Sequence, residues 1–351
     1  MPQYYYKYQH LMLFMKKVRQ LKKGDTIAVM SLSKGLPNLF PNVYEAGIKN
    51  LERMGLKIKE YPTVRKSIDY LHSHPKERAE DINNAFLDKE VQGIFTSIGG
   101  DDSVRILEYI NPEIIKKNPK FFMGFSDTGT TNMYFNKLGI VTFNGPSIMA
   151  GIAQIENIKG YRESFENFLF GKWKNFTYKP FIEYSEGYAD WQSNTNKFKK
   201  IKTSTLWNWG KGKTSGELFG GCIEALDFIN GTKYWPKKDF FKNKILFLET
   251  SEEKPSPDYV KYILRNLGVQ GILENISALL IGRARDYSIE EKRQLEENVK
   301  LVVEEEFRVK IPIVTNMDFG HTDPQHILPL GIKASIDCKK KEFKLLESPF
   351  L

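Results

Sequence analysis

The sequence predicts an α/β protein of two domains. The N-terminal one is a mainly parallel sheet flanked by helices, and the C-terminal one an α/β domain with a mixed sheet. Three observations lead there. Up to Phe143, short apolar runs alternate with amphipathic stretches in a βαβα rhythm. From about residue 171 to 215 that rhythm stops, and Trp, Lys, Asn, Ser and Tyr dominate. At Gly216 the alternation resumes. With 351 residues, 41% of them hydrophobic, the chain can fill more than one core.

The elements follow in order. Residues 1–20 read as a lead-in. They carry Tyr4-Tyr5-Tyr6 and an apolar run, Leu11 to Met15, that is too short for a signal core or a membrane span. Residues 21–170 form the first domain. Asp25 to Ser31 is a buried strand, and Pro41 to Met54 a helix with Val43, Ala46, Ile48 and Leu51 on one face. Leu56 to Val64 alternates as a second strand, and Pro75 opens a helix carrying Ala79, Ile82, Ala85 and Phe86. Val91 to Ile98 is a third strand, followed by Gly99-Gly100-Asp101-Asp102-Ser103 and a helix through Ile110. Phe121 to Phe125 is a fourth strand, Asp127 to Asn136 a helix-compatible run and Gly139 to Phe143 a fifth strand.

Residues 171–215 read as a linker or insert with irregular β segments, bearing Trp173, Trp191, Trp207 and Trp209. Residues 216–351 form the second domain. Gly216 to Gly221 opens it, ahead of a helix from Cys222 to Ile229. Strands at 244–248, 276–281 and 311–315 alternate with helices at 257–267 and 289–305. A loop from Asn316 to Pro329 follows, then a hairpin from Leu330 to Leu346 turning at Lys339–Lys341.

Charge narrows the partners. There are 52 Lys and Arg against 43 Asp and Glu, a net +9. The lysines come in scattered pairs such as Lys116-Lys117 and Lys199-Lys200, which read as solvated surface and not as a nucleic-acid face. Cys222 and Cys338 stand in unrelated contexts, without zinc-ligand spacing, as reduced thiols of a cytoplasmic protein do. No membrane partner is expected.

Parallel sheets put their ligands beyond the carboxyl ends of the strands. Ser126 stands there, after Phe121-Phe122-Met123-Gly124-Phe125 and before a helix start. A serine so placed can be a nucleophile with helix N–H groups beside it, or an ordinary helix cap. Gly99-Gly100 sits at the same edge; its backbone can approach a ligand closely, or it is a plain turn. The spacing is not that of a phosphate loop. Asp101-Asp102 suggests a metal without the partners to hold one, and Asp102 suits a helix cap better. Glu249 ends the apolar run Ile245 to Leu248, so it needs a partner or a shifted pKa; a salt bridge or a cap would serve. Of five histidines, His321 in Asp318-Phe-Gly-His-Thr-Asp-Pro324 is the candidate base, with His326 its rival; His72 and His74 look solvent-facing and His10 lies in the lead-in.

The chain resembles the serine carboxypeptidases that include bacterial LD-carboxypeptidase and the microcin C immunity protein. The shared stretches, spread over residues 21–340, are Val29 to Ser33, Glu77 to Asn83, Ser97 to Asp101, Gly124 to Thr128, Gly216 to Gly221, Ile245 to Glu249 and Asp318 to His321. The resemblance implies a hydrolase that cleaves an amide-like bond with Ser126 as nucleophile, His321 as base and Glu249 as its acid. The backbones of Gly100 and Asp127 would hold the oxyanion. Gly99, Asp101 and Trp191 would touch substrate, Trp191 by stacking. No metal or organic cofactor is implied, and a homodimer is.

Two substrate classes divide the family: murein tetrapeptide, and aminoacyl-nucleotides of the microcin C type. The Trp-bearing insert, and Gly-Gly-Asp-Asp-Ser in place of Gly-Gly-Tyr-Gly, look more like the second. A non-catalytic ligand-binding protein is the rival from another class. An ordinary α/β-hydrolase elbow is not met, because Thr128 stands where the second glycine belongs.

Overall fold

All five apolar runs read as strands in the first half form strands, and all five lie parallel. The computed structural model describes residues 15–173, 176–186, 190–192, 201–203 and 206–351. Most of the lead-in, with His10 and Tyr4 to Tyr6, and part of the insert, with Lys199-Lys200, fall outside the described residues. Strands β1 (Thr26–Met30), β2 (Lys57–Glu60), β3 (Val91–Thr96), β4 (Phe121–Gly124) and β5 (Thr142–Asn144) stand in the order β5-β4-β3-β1-β2. Helices α1 (Leu36–Leu39), α2 (Pro41–Arg53), α3 (Ile68–Ser73), α4 (Pro75–Leu87), α5 (Pro112–Lys117) and α6 (Gly129–Lys137) make the crossovers. In α2, Pro41 pre-sets the first turn, and Val43, Tyr44, Gly47, Ile48 and Leu51 are buried at helical spacing. The strand order reverses between β1 and β3, and a crevice opens there at the carboxyl ends.

After α7 (Tyr161–Phe170), the described part of the insert supplies β6 (Thr177–Tyr178), β7 (Glu183–Glu186), β8 (Ile201–Thr203) and β9 (Asn208–Trp209). Then come β10 (Lys213–Cys222), α8 (Ile223–Ile229), β11 (Ile245–Glu249), α9 (Pro257–Val269), β12 (Ala278–Gly282), α10 (Ile289–Lys300) and β13 (Ile313–Met317). The chain closes with β14 (Thr322–Asp323), β15 (Leu328–Leu330), β16 (Lys333–Asp337) and β17 (Glu342–Leu345). Strands β10 to β13 are parallel, while β9, β16, β17 and β6 pair antiparallel at the flanks, which makes the second sheet mixed.

Some expectations are corrected. Ser103 to Ile110 is not a helix but a single 3₁₀ turn, Ser103–Ile106, because the Asp127 carboxylate takes the N–H groups of Asp102 and Ser103 and fixes that corner. The second strand stops at Glu60, where Tyr61 to Val64 turns. The helix at 289–305 gives way at Lys300 to a π-type turn, Leu301–Glu306. The loop 316–329 holds two short strands: β14 pairs with β7 of the insert, and β15 pairs antiparallel with β5 of the first sheet. His321 therefore sits on a segment pinned to the insert on one side and to the first sheet on the other. Among the described residues, no helix is long and apolar enough to cross a membrane.

Candidate active site

The serine comes first. Strand β4 is buried throughout. A Cβ on Gly124 would come within 2.5 Å of Thr128 Oγ1 and 2.6 Å of Thr96 Oγ1, so the strand can leave here only on glycine. Phe125 is still extended, and Ser126 then turns to φ +59°, a left-handed backbone that a side chain rarely adopts. Such a residue costs on the order of 1–3 kcal/mol and persists only where its surroundings hold it. Thr128 Oγ1 donates to Phe125 O at 2.8 Å, and Asn132 Nδ2 donates to Gly124 O at 2.7 Å. Those bonds brace the corner while Ser126 faces a cleft.

The Gly99-Gly100 loop packs directly on that serine. A Cβ on Gly99 would lie 2.8 Å from Ser126 Cβ and 2.9 Å from Oγ. The loop is stapled from three sides. Ser33 Oγ, beyond β1, accepts from the N–H groups of Asp101 and Asp102 at 3.1 and 3.3 Å. Asp127 Oδ2 accepts from Asp102 N at 3.1 Å and Ser103 N at 2.8 Å. Arg78 of α4, fully buried, donates to Leu32 O at 2.9 Å and pairs with Asp102. Asp102 does not cap the turn with its side chain, as the sequence suggested; it faces Arg78 and Arg105 instead. Burial pushes the Asp127 carboxyl pKa up, against its hydrogen bonds from Ser33 and Ser103.

Across the cleft, β11 ends on Glu249, which is buried, beside His321. Two glycines make the room: a Cβ on Gly282 would stand 2.8 Å from Glu249 Cβ, and one on Gly320 2.6 Å from Glu249 Oε2. His321 Nδ1 lies 2.5 Å from Glu249 Oε2. The other ring nitrogen, Nε2, lies 3.1 Å from Glu252 Oε2, an ion-pair distance without hydrogen-bond alignment. Burial alone would disfavour the imidazolium, but the two carboxylates outweigh it and hold the His321 pKa well above its ordinary value. Glu252 is brought down to about 2: the pull of His321 overcomes its partial burial.

The histidine loop is set from below. Asp318 pairs with Arg283 at 2.7 Å, and accepts from Trp207 Nε1 at 2.8 Å and Phe181 N at 3.1 Å. The rival, His326, donates from Nε2 to Lys179 O at 2.9 Å and packs on Phe181; burial lowers its pKa, so it is a neutral packing residue. His72 is exposed, paired with Asp102, and His74 stacks on Tyr70; both belong to α3 or its end, not to a loop.

Among the described residues, one group has metal-ligand composition: Cys222, Glu249 and His321, with donor atoms within 4.8 Å of one another. The Cys222 thiol donates to Glu224 Oε2 at 3.0 Å, and burial together with Glu249 and Glu224 pushes its pKa far up. A thiol kept protonated is a poor metal ligand.

A cleft of about 460 Å³ joins these parts, a volume suited to a small-molecule site. Ser126, Gly99, Gly100 and His321 line it, with Lys34, Arg285 and Glu252 as its charged groups. Trp191 lines it too, beside Leu36 and Ile68, its ring edge-on to Phe40 at 5.5 Å. Asp101 stays outside the lining, exposed and paired with Lys34 at 3.1 Å. Sequence reasoning missed Ser33, Lys34, Arg78, Glu252 and Arg285, and read Asp127 only for its backbone. The signal for Glu252 was its place three residues after the buried Glu249; the others carried none.

The fold and the cleft define a class: an α/β protein of two main sheets with a small-molecule cleft lined from both halves of the chain. Residues 27–145 match the LD-carboxypeptidase N-terminal domain, and residues 215–336 match the LD-carboxypeptidase C-terminal domain. The chain belongs to the LD-carboxypeptidase family of serine peptidases. It is 30% identical to a putative carboxypeptidase of Treponema pallidum, covering 93% of this chain and 94% of that one. It is 28% identical to the microcin C7 self-immunity protein MccF of Escherichia coli, covering 93% and 94%. Among solved structures it is similar to MccF in complex with aspartyl sulfamoyl adenosine, with TM-score 0.86, 28% identity and coverage of 96% and 100%. An MccF-like protein from Streptococcus pneumoniae in complex with AMP aligns with TM-score 0.81, 31% identity and coverage of 92% and 98%.

Proposed function

We propose that the protein hydrolyses the amide-like bond of microcin C-type aminoacyl-nucleotides, through a Ser126–His321–Glu249 triad. One observation carries the reading: a serine in a left-handed turn and a histidine backed by a buried carboxylate line the same cleft. His321 Nε2 takes the Ser126 hydroxyl proton as Oγ attacks the scissile carbonyl. The N–H groups of Asp127 and Gly100 receive the oxyanion. His321 then passes its proton to the leaving nitrogen, and the acyl-enzyme is released by a water that His321 deprotonates. Glu249 fixes the ring and balances the imidazolium.

Two findings support the nucleotide branch. Trp191 stands in the cleft as an aromatic face for a base. Solved relatives similar to this chain over almost its whole length carry AMP or an aminoacyl sulfamoyl nucleoside. In this reading the nucleophile comes from the half before residue 171, and the base and its carboxylate from the half after 215. Ser126→Ala should lower turnover of an aminoacyl sulfamoyl adenosine by several orders of magnitude, judged from triad removal elsewhere. Near-full activity in that variant would overturn the assignment. Turnover of murein tetrapeptide in preference to the nucleotide would move the protein to the other branch of its family.

A further inference from the structure

The loop that follows Glu249 is built to aim one carboxylate at the reacting centre. Its backbone is fixed on both sides of Glu252. Ser251 donates from N and Oγ to Glu224 Oε1, at 3.2 and 2.6 Å, and Ser251 Oγ accepts from Glu253 N at 3.1 Å. Lys254 takes a left-handed backbone at φ +52° and pairs with Glu291 of α10 at 2.9 Å. Between these anchors the Glu252 side chain, 47% exposed, reaches into the cleft and stops 3.1 Å from His321 Nε2.

That nitrogen is the one that exchanges protons with Ser126 in the proposed reaction. A group so close to it lies beside the scissile carbonyl of a substrate placed for that reaction. While Glu252 stays there, Nε2 faces a carboxylate. Of the cleft's two cations, Lys34 pairs with Asp101 and Arg285 with Asp286, at 3.1 Å each, and Arg285 also acts on Glu252 through space, less than His321 does. The negative charge at the reacting centre is thus held chiefly by a histidine that must let it go.

We propose that Glu252 is a specificity-determining residue: its carboxylate binds an ammonium group on the acyl half of the substrate, next to the scissile carbonyl. An α-ammonium of an aminoacyl group has the required place and charge. Binding it exchanges one cation partner of Glu252 for another, so no charge is left unpaired in the cleft. The same exchange takes the carboxylate off Nε2 and leaves that nitrogen to Ser126. Substrates whose amine is blocked keep Glu252 on the histidine. The inference rests on the proposed roles of Ser126 and His321, and its test separates the two.

The test uses Ser126→Ala protein, so that binding is read without turnover. Two ligands are titrated calorimetrically: an aminoacyl sulfamoyl adenosine with a free α-amine, and its N-acetylated counterpart. The free amine should bind about tenfold more tightly, as expected for a charge-assisted hydrogen bond in a partly exposed cleft. In Ser126→Ala/Glu252→Gln the two ligands should bind within about threefold of each other, still scaled to that bond. A structural role in seating His321 would leave the ratio unmoved, so a preserved preference in the double variant overturns the proposal. So does equal binding of both ligands by Ser126→Ala. Fluorophosphonate labelling of the otherwise unaltered protein, lost in Ser126→Ala, reports separately on the hydrolase reading.

Discussion

Gly99→Ala places one methyl group directly against the proposed nucleophile. Gly99 has no left-handed backbone to defend, so alanine meets no conformational objection there. Its Cβ would stand 2.8 Å from Ser126 Cβ, 2.9 Å from Oγ and 3.4 Å from Asp127 N. Carbon atoms rest at about 3.5–4.0 Å, so the pair must separate by roughly 0.7 Å or more. Neither side yields freely. The Gly99 loop is held by Ser33 and Asp127, and the serine corner by Thr128 and Asn132. Overpacking of this kind costs about 1–3 kcal/mol, a loss of several degrees in melting temperature for domains of this size. The larger effect falls on the reaction. A displacement approaching 1 Å in a reacting group costs about 10²-fold, so kcat should fall by roughly 30- to 100-fold. Turnover of aminoacyl sulfamoyl adenosine and the rate of fluorophosphonate labelling should fall together, while thermal denaturation shows a folded protein. Gly129→Ala is the control, since a Cβ there meets nothing within 4 Å and its backbone is helical. A folded Gly99→Ala protein with kcat within about threefold of the parent would mean that Ser126 is not where the chemistry happens, given how steeply rate follows position.

Other outcomes follow from the same geometry. His321 is raised above its ordinary value by Glu249 and Glu252, so the acid limb of kcat/KM should lie above pH 7 and that of kcat lower, once substrate has drawn Glu252 away. Stability should run the other way: a raised histidine stabilises fully below its unfolded value near 6.5, and that contribution fades as pH rises through its folded value. Thermal melts from pH 6 to 10 beside a pH–rate profile check both signs. Trp191→Ala should raise KM for the nucleotide substrate about tenfold, within the 1–3 kcal/mol of base stacking, and leave KM for tetrapeptide alone; an equal rise for both would assign Trp191 to packing against Phe40. Arg283→Met strands Asp318, which is wholly buried, and should cost about 3–5 kcal/mol by chemical denaturation.

Periodicity and residue type were enough to place Ser126, Glu249 and His321 at strand ends or in the loops that follow. An apolar run that stops must stop at a sheet edge, and parallel strands share that edge. The same reasoning read β1 to β5 and β11 to β13 as strands, most of them buried runs bounded by glycine, proline or charge, while β10 was read only as the glycine-bearing opening of the second domain. It failed at Ser103 to Ile110, where a carboxylate on another element claimed the N–H groups that a helix start would have offered. It also missed β14 and β15, strands too short to show a period, whose partners lie more than a hundred residues away.

What the sequence determined by itself was local: which segments are buried, where they end, and which reactive side chains stand at those ends. Ser126 was marked by the strand before it, and Glu249 by the four apolar residues it follows. What only the tertiary structure decided was company. Nothing within a few residues of His321 could say that Glu249 would hold Nδ1 and Glu252 would face Nε2, or that His326 would be spent on Lys179. Those choices come from how two sheets meet across a cleft. Electrostatic and steric contacts between distant segments act over a few ångströms of space, whatever their separation along the chain.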